Sequence, residues 1–271
     1  MNSRNEKSKT QGELSARPVR QRPALMLTFL TLLGLILEAC GSTATKITPA
    51  METPCPDAVQ QLVDPQVIPD LEISVAVDGS GSFMGDRSAS RAFVAQQVAL
   101  AVDDAVDRAA ALRVIVFGGS AGNARTVVEC SVMAVGYRNE AARPAKTAYL
   151  KQVARDHVWD AVLSGRPPMA QPGTSVVGGY VALADAARLT VGRREALMLS
   201  DGIALPEMAV AADLSGFSSI GMYGVGQTEP PPSTHDVVRL ARSWQAWLAL
   251  QGARQVVVST QGYSSKVRAA P

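Results

Sequence analysis

The chain has 271 residues, 47% of them apolar and only 18% charged, which excludes a disordered chain and allows one large or two small buried domains. Its formal net charge of +2 misleads: residues 1–40 hold six of the 26 Lys/Arg and three of the 24 Asp/Glu, leaving 20 basic against 21 acidic residues beyond them. That balance gives no sign of a nucleic-acid surface, which would show a basic patch, and the 5% aromatic content predicts a core of Val, Leu, Ile and Ala.

The chain begins with a polar stretch, residues 1–23, carrying Arg17, Arg20 and Arg22. An apolar run of 14 residues follows, Ala24 to Leu37, shorter than a spanning helix needs and suited to the apolar region of a signal peptide. It closes in Leu37-Glu38-Ala39-Cys40-Gly41, which resembles a bacterial lipobox, with Glu38 as a departure from the pattern. The resemblance implies lipidation of Cys40; an ordinary secretory leader or an uncleaved anchor are the alternatives. All three put residues beyond 40 in the cell envelope, outside the cytoplasm. Setting Cys40 aside leaves Cys55 and Cys130, a pair that an oxidising compartment allows to form a disulfide; two buried thiols are the alternative.

Residues 41–69 are rich in Thr, Pro and Ser and read as a tether, Gly41 to Pro54, followed by an irregular approach segment with a short helix from Pro56 to Val63. Ile73 to Val77 is a β-branched apolar run that predicts a buried strand ending at Asp78. Ala89 to Ala110 predicts a helix whose apolar stripe is Val94, Val98, Val102 and Val106, with Arg91, Gln97, Asp104 and Arg108 off that face. Leu112–Phe117 and Ala124–Val132 predict two strands joined by a short connection, hence an antiparallel pair. Asn139 to Gly165 predicts a helix with Tyr149, Val153, His157 and Val158 on its apolar face. After Pro172-Gly173, a helix capped at Thr174-Ser175 runs to about Leu189. Glu195–Ser200 is a fourth strand, Pro206–Leu214 a short helix, Ser219–Val225 a fifth strand, His235–Leu250 a long helix with Val238, Ala241, Trp244 and Leu248 along one face, and Gln255–Ser259 a sixth strand. Residues 261–271 are expected to fray. Strands alternating with helices predict one α/β domain over residues 70–260, a doubly wound, mainly parallel six-stranded sheet with one antiparallel edge strand.

Chemistry concentrates in Asp78-Gly79-Ser80-Gly81-Ser82, at the carboxyl end of the first strand, where open α/β sheets bind ligands. A carboxylate and two hydroxyls spaced two apart are hard oxygen donors suited to Mg²⁺, Mn²⁺ or Ca²⁺, and an extended loop would put all three on one side. The segment resembles the D-x-S-x-S loop of the von Willebrand factor A domain, in which it forms the metal-ion-dependent adhesion site. That family adds a threonine from a second loop and an aspartate from a third; Pro172-Gly173-Thr174-Ser175 and Ser200-Asp201-Gly202 match in type and order. The resemblance spans roughly residues 70 to 260. It implies direct ligation by Ser80 and Ser82, ligation by Thr174 and Asp201 directly or through water, and a supporting role for Asp78. It further implies an open coordination position for an Asp or Glu of a protein partner, and thus a binding module rather than an enzyme.

Two other readings compete. Gly79 to Gly85 reads as a dinucleotide loop, but its glycines run G-x-G-x-x-x-G and the second strand ends in Phe117-Gly118-Gly119, with no acidic residue for a ribose. A metal-assisted enzyme lacks a general base near the metal loops other than the ligands themselves. A structural envelope scaffold without metal is the remaining alternative. His157 and His235 read as packed or surface residues, and Trp244 and Trp247 as core.

Overall fold

The computed structural model describes residues 55–85, 90–119, 123–136, 139–166, 175–203, 211–228 and 230–264. The leader, Cys40 and the tether up to Pro54 lie outside the described residues, as do Thr174 and most of the helix expected over Pro206–Leu214. In chain order the elements are α1 (Asp57–Gln60), β1 (Leu71–Asp78), α2 (Gly81–Met84), α3 (Ser90–Asp107), β2 (Ala111–Phe117), β3 (Arg125–Cys130), α4 (Arg143–Ser164), α5 (Val176–Asp185), β4 (Arg193–Leu199), β5 (Ser219–Tyr223), α6 (Thr234–Leu250) and β6 (Val256–Ser259).

All six strands join one sheet in the order β3-β2-β1-β4-β5-β6. Pairing is parallel throughout except at β3, which runs antiparallel to β2 at one edge. The described residues therefore form the α/β architecture expected, that of a von Willebrand factor A-like fold. β1 is buried at every position because helices cover both faces of the sheet. Ile73, Val75 and Val77 pack with α3 and α4, while Ala76, Ile115, Met198 and Met222 pack with α5 and α6. The strand order reverses between β1 and β4, and the crevice at their carboxyl ends is the natural ligand position of such a sheet.

Ser175 caps α5 by accepting a bond from Gly178 N at 3.0 Å, and Ser233 caps α6 by accepting one from Asp236 N at 3.1 Å. Val94, Val98, Val102 and Val106 are buried as their spacing predicts. Most buried polar side chains are paired; among the described residues Tyr180 Oη, Arg194 Nε, Ser219 Oγ and Trp247 Nε1 are the exceptions. Arg194 of β4, Glu72 of β1, Arg113 of β2 and Glu129 of β3 form an ion-pair ladder across four strands, with N–O distances of 3.3, 3.0 and 2.9 Å. Ser74 Oγ (2.9 Å) and Leu189 N (2.9 Å) complete the bonds to Glu72.

Several expectations need correction. Trp244 and Trp247 are core as expected, but the core is not built from Val, Leu, Ile and Ala alone: Tyr180, Phe83, Phe117 and Phe217 are also among the largest fully buried side chains. The apolar face of α4 is Leu150, Ala154, Val158 and Val162, whereas Tyr149 and His157 are exposed. Val238 of α6 is also exposed. α5 stops at Asp185, before Leu189. Gln97 and Asp104 are buried rather than outward-facing, because the segment expected to fray lies over them. Tyr263, 3% exposed, donates its N–H to Gln97 Oε1 at 2.5 Å and its hydroxyl to Asp104 Oδ2. The approach segment is likewise part of the packed unit: Val59 is fully buried, Val63 bridges to Val135, and Cys55 is joined to Cys130 at the end of β3.

Candidate metal centre

Asp78 is the last residue of β1 and Asp201 follows β4, so the central pair of parallel strands delivers two carboxylates to the crevice at the switch point. Both are buried. Gly79 N donates to the Phe117 carbonyl at 2.8 Å and Gly226 N to the Asp201 carbonyl at 2.7 Å, which anchors the two loops to the ends of the neighbouring strands.

The loop after Asp78 does not stay extended, the condition under which alternation alone would put its three donors on one side. It turns at once into the single turn α2, whose Phe83 and Met84 are fully buried. These two anchors hold the outer side of the turn, Ser80 and Ser82, toward the crevice. Ser80 N donates to Asp78 Oδ1 at 2.9 Å. The Ser80 and Ser82 hydroxyls lie 3.1 Å apart, and Ser82 Oγ donates to Asp201 Oδ2 at 3.2 Å. Ser80 precedes α2 but its hydroxyl does not cap it, so the plain reading of the motif as a helix cap fails at this residue. Four residues expected at the site, Asp78, Ser80, Ser82 and Asp201, thus form one hydrogen-bonded group drawn from two loops. Thr174 lies outside the described residues; its neighbour Ser175 is tied to the end of β2 through Ser175 N and the Gly118 carbonyl at 3.1 Å.

Sequence reasoning missed Ser200. Its hydroxyl, fully buried, donates to Asp78 Oδ2 at 2.8 Å and accepts from Gly202 N at 3.1 Å. The signal available was its place between the fourth strand and Asp201. Gly202 has φ +61°, and a Cβ there would lie 2.7 Å from Met222 Cε, so this turn needs glycine. The Trp244 indole N–H of α6 donates to the Gly202 carbonyl at 2.9 Å.

Burial, and then the neighbouring Asp201, push the Asp78 carboxyl up to about 6, against the lowering effect of its bonds from Ser80 and Ser200. Burial raises Asp201 as well, opposed by Ile203 N–H and Ser82. Among the described residues no Arg, Lys or His pairs with either group. Two buried carboxylates facing hydroxyl oxygens with no cationic side chain are an arrangement that a hard divalent cation would neutralise. The donor set therefore fits such an ion. Among the described residues no three His, Cys, Asp or Glu side chains converge, so hydroxyls must supply the remaining donors.

Gly118-Gly119-Ser120-Ala121-Gly122 spells G-x-S-x-G, the pattern of a nucleophilic serine, with Ser120 to Gly122 outside the described residues. That pattern needs a strand-to-helix turn, and this one links β2 to β3.

Among the described residues, no helix is long and apolar enough to cross a membrane. No protein-family model matches the chain, and no curated protein matches it by sequence. Among solved structures it is similar to an aerotolerance-related membrane protein from Bacteroides fragilis NCTC 9343 bearing multiple mutations to serine. The two are 13% identical with a TM-score of 0.38, over 73% of this chain and 94% of that one. It is also similar to the pilus adhesin SpaC from Lactobacillus rhamnosus GG, at 20% identity and a TM-score of 0.29, over 52% of this chain and 16% of the adhesin. The open conformation of that adhesin gives 18% identity and a TM-score of 0.28, over 54% of this chain and 16% of the adhesin.

Proposed function

We propose that the chain is a metal-dependent protein-binding module, used in adhesion or assembly, and not an enzyme. Asp78, Ser80, Ser82 and Asp201, with Thr174 from the loop before α5, would hold one divalent cation: Mg²⁺, Mn²⁺ or Ca²⁺. The ion would supply an electrophilic position for an Asp or Glu carboxylate of a partner protein. This chain's own residues set the conditions. Ser200 and Ser80 N–H orient Asp78, the burial of the two carboxylates favours a cation over separated charges, and the exposed Ser82 marks the side from which a partner approaches. In the same proposal, lipidated Cys40 holds the domain at the outer side of a bacterial membrane, with no nucleic acid among its partners.

One observation carries the reading: two buried carboxylates from adjacent central strands, bridged by serines and with no cationic neighbour among the described residues. Calorimetric titration of Mg²⁺ and Mn²⁺ into the protein, beside Asp201→Ala, tests it. Binding by the wild type and none by the variant is the expected result. Titrations repeated in millimolar acetate should show tighter binding, since a free carboxylate takes the partner's place. Absence of metal binding with and without acetate would overturn the reading.

A further inference from the structure

At the opposite, amino-terminal edge of the sheet lies a cavity of about 210 Å³. Four arginines line it: Arg188 from the loop before β4, Arg193 and Arg194 from the first two positions of β4, and Arg254 from the turn before β6. Arg188, Arg193 and Arg254 are exposed, and among the described residues none of them pairs with a carboxylate. Arg188 Nη2 donates to the Gly216 carbonyl at 3.3 Å. The two lining serines are engaged elsewhere: Ser215 Oγ donates to Asp213 Oδ1 (2.6 Å) and Ser218 Oγ to the Arg194 carbonyl (2.8 Å). Recognition at this site therefore falls to the arginines.

Arg194 is different in kind, being only 5% exposed. Its guanidinium lies 4.3 Å from the centroid of the Phe217 ring. Its Nη2 is shared among Glu72 Oε1 (3.3 Å), the Leu183 carbonyl (3.3 Å) and the Ala186 carbonyl (3.5 Å). Its Nε–H is buried with no acceptor. Glu72, the one carboxylate paired with Arg194, is also claimed by Arg113 at 3.0 Å. A buried N–H of a charged group without an acceptor is costly, and the surrounding positive charge is only partly matched. Burial holds Arg194 below its ordinary value, Glu72 opposes this, and Arg113 and Arg188 add to it.

We propose that this cavity is an oxyanion site taking a phosphate-type group, with Arg194 as a fixed wall and Arg188, Arg193 and Arg254 closing on the ligand from solvent. Planar guanidinium forks match phosphate geometry in a way that ammonium groups do not. The volume suits a small tetrahedral anion better than a drug-sized ligand, which needs about 300 Å³ or more. The phosphate can be free or part of a lipid headgroup. Val191, adjoining Gly192 of the cavity, is 94% exposed and Ile68 is 87% exposed. Thr190 and Pro69, their neighbours, are hydrogen-bonded to each other, so both apolar side chains project at this same end of the molecule.

The test is a titration of the full chain, in detergent, with sodium phosphate at ionic strength held constant with chloride, beside the double variant Arg188→Gln/Arg254→Gln. Both positions are exposed and outside the ion-pair ladder, so the variant should fold, and an unchanged melting temperature without phosphate checks this. Saturable binding by the wild type, weakened about tenfold or more in the variant, is expected. A second arm measures binding to phosphatidylglycerol vesicles against phosphatidylcholine vesicles. Competition by free phosphate, together with loss in the variant, assigns the site to a headgroup; phosphate binding without vesicle binding assigns it to the free anion. Failure to bind either probe, or binding that the double variant leaves unchanged, would overturn the proposal. The metal centre stands or falls separately, because neither arm contains a divalent cation.

Discussion

The indole N–H of Trp244, on the last helix, is bonded to the carbonyl of Gly202 at 2.9 Å, one residue beyond Asp201. The buried Trp244 of α6 thereby fixes the loop that carries one of the two site carboxylates. Tyr180 and Trp247, with ring centroids 6.1 and 5.7 Å from that of Trp244, hold the indole in place. Replacing Trp244 by Phe keeps most of the packing and removes the bond. We expect about 1 kcal/mol of destabilisation by urea denaturation, and Mg²⁺ affinity lowered several-fold by calorimetry. An unchanged affinity would show that Asp201 is positioned without α6.

Asp78 makes stability depend on pH in a direction unusual for a carboxylate. Its folded-state value, about 6, is raised above the ordinary 3.8. The folded protein therefore binds more protons than the unfolded chain between about pH 4 and pH 6. Metal-free stability should be highest below that window and fall as pH rises through it, by about 3 kcal/mol. Asp78→Asn should flatten this dependence. Urea denaturation at several pH values in a chelator measures both. Stabilisation by added Mg²⁺ should grow through the same window, since the ion binds the ionised pair.

Ser200→Ala removes the buried donor to Asp78 Oδ2 but none of the groups proposed as ligands. Its effect on the ion is indirect, through the orientation of Asp78. Outer partners of this kind typically contribute about 10- to 100-fold in metal affinity. We expect a loss toward the lower end by calorimetry, and a further rise in the Asp78 value, visible as an upward shift of the pH midpoint for Mg²⁺ binding.

Tyr263 closes the carboxyl-terminal segment over α3. Tyr263→Phe loses the hydroxyl bond to the Asp104 carboxylate and should cost about 1.5–3 kcal/mol. Tyr263→Ala also removes a ring packed edge-on against Tyr223 at 5.7 Å and should cost more, about 3–5 kcal/mol. Thermal unfolding of both variants checks the order.

What could be read from the sequence was whatever is encoded locally. Strand positions, the antiparallel β3 and the valine stripe of α3 follow from alternation and helical spacing over a few residues. That Asp78, Ser80, Ser82 and Asp201 come together follows from a motif in one loop and an aspartate just beyond the fourth strand. The features that escaped depend on partners far along the chain. Gln97 and Asp104 look outward-facing on a helical wheel until Tyr263, more than 150 residues later, covers them. Ser200 looks like a strand terminus until Asp78, 122 residues earlier, accepts a hydrogen bond from its hydroxyl. Alternation would align Asp78, Ser80 and Ser82 only in an extended loop; the burial of Phe83 and Met84 coils it instead. On α4 the one-position error, Tyr149 for Leu150, arose because an aromatic residue outweighed an aliphatic one in locating the apolar face.

The Cys55–Cys130 link has a mechanical consequence. It joins the first described residue, Cys55, to the end of the edge strand, across 75 residues of sequence. A pull on the two ends of the domain therefore enters the sheet through β3, and the covalent loop holding α1, β1, α2, α3, β2 and β3 cannot be drawn out. In single-molecule stretching the oxidised protein should extend about 250 Å less than the reduced one, at about 3.4 Å per residue. The Asp78 loop lies inside that unstretchable segment, so the half of the site it contributes stays bounded by a covalent ring under load, while the Asp201 loop does not.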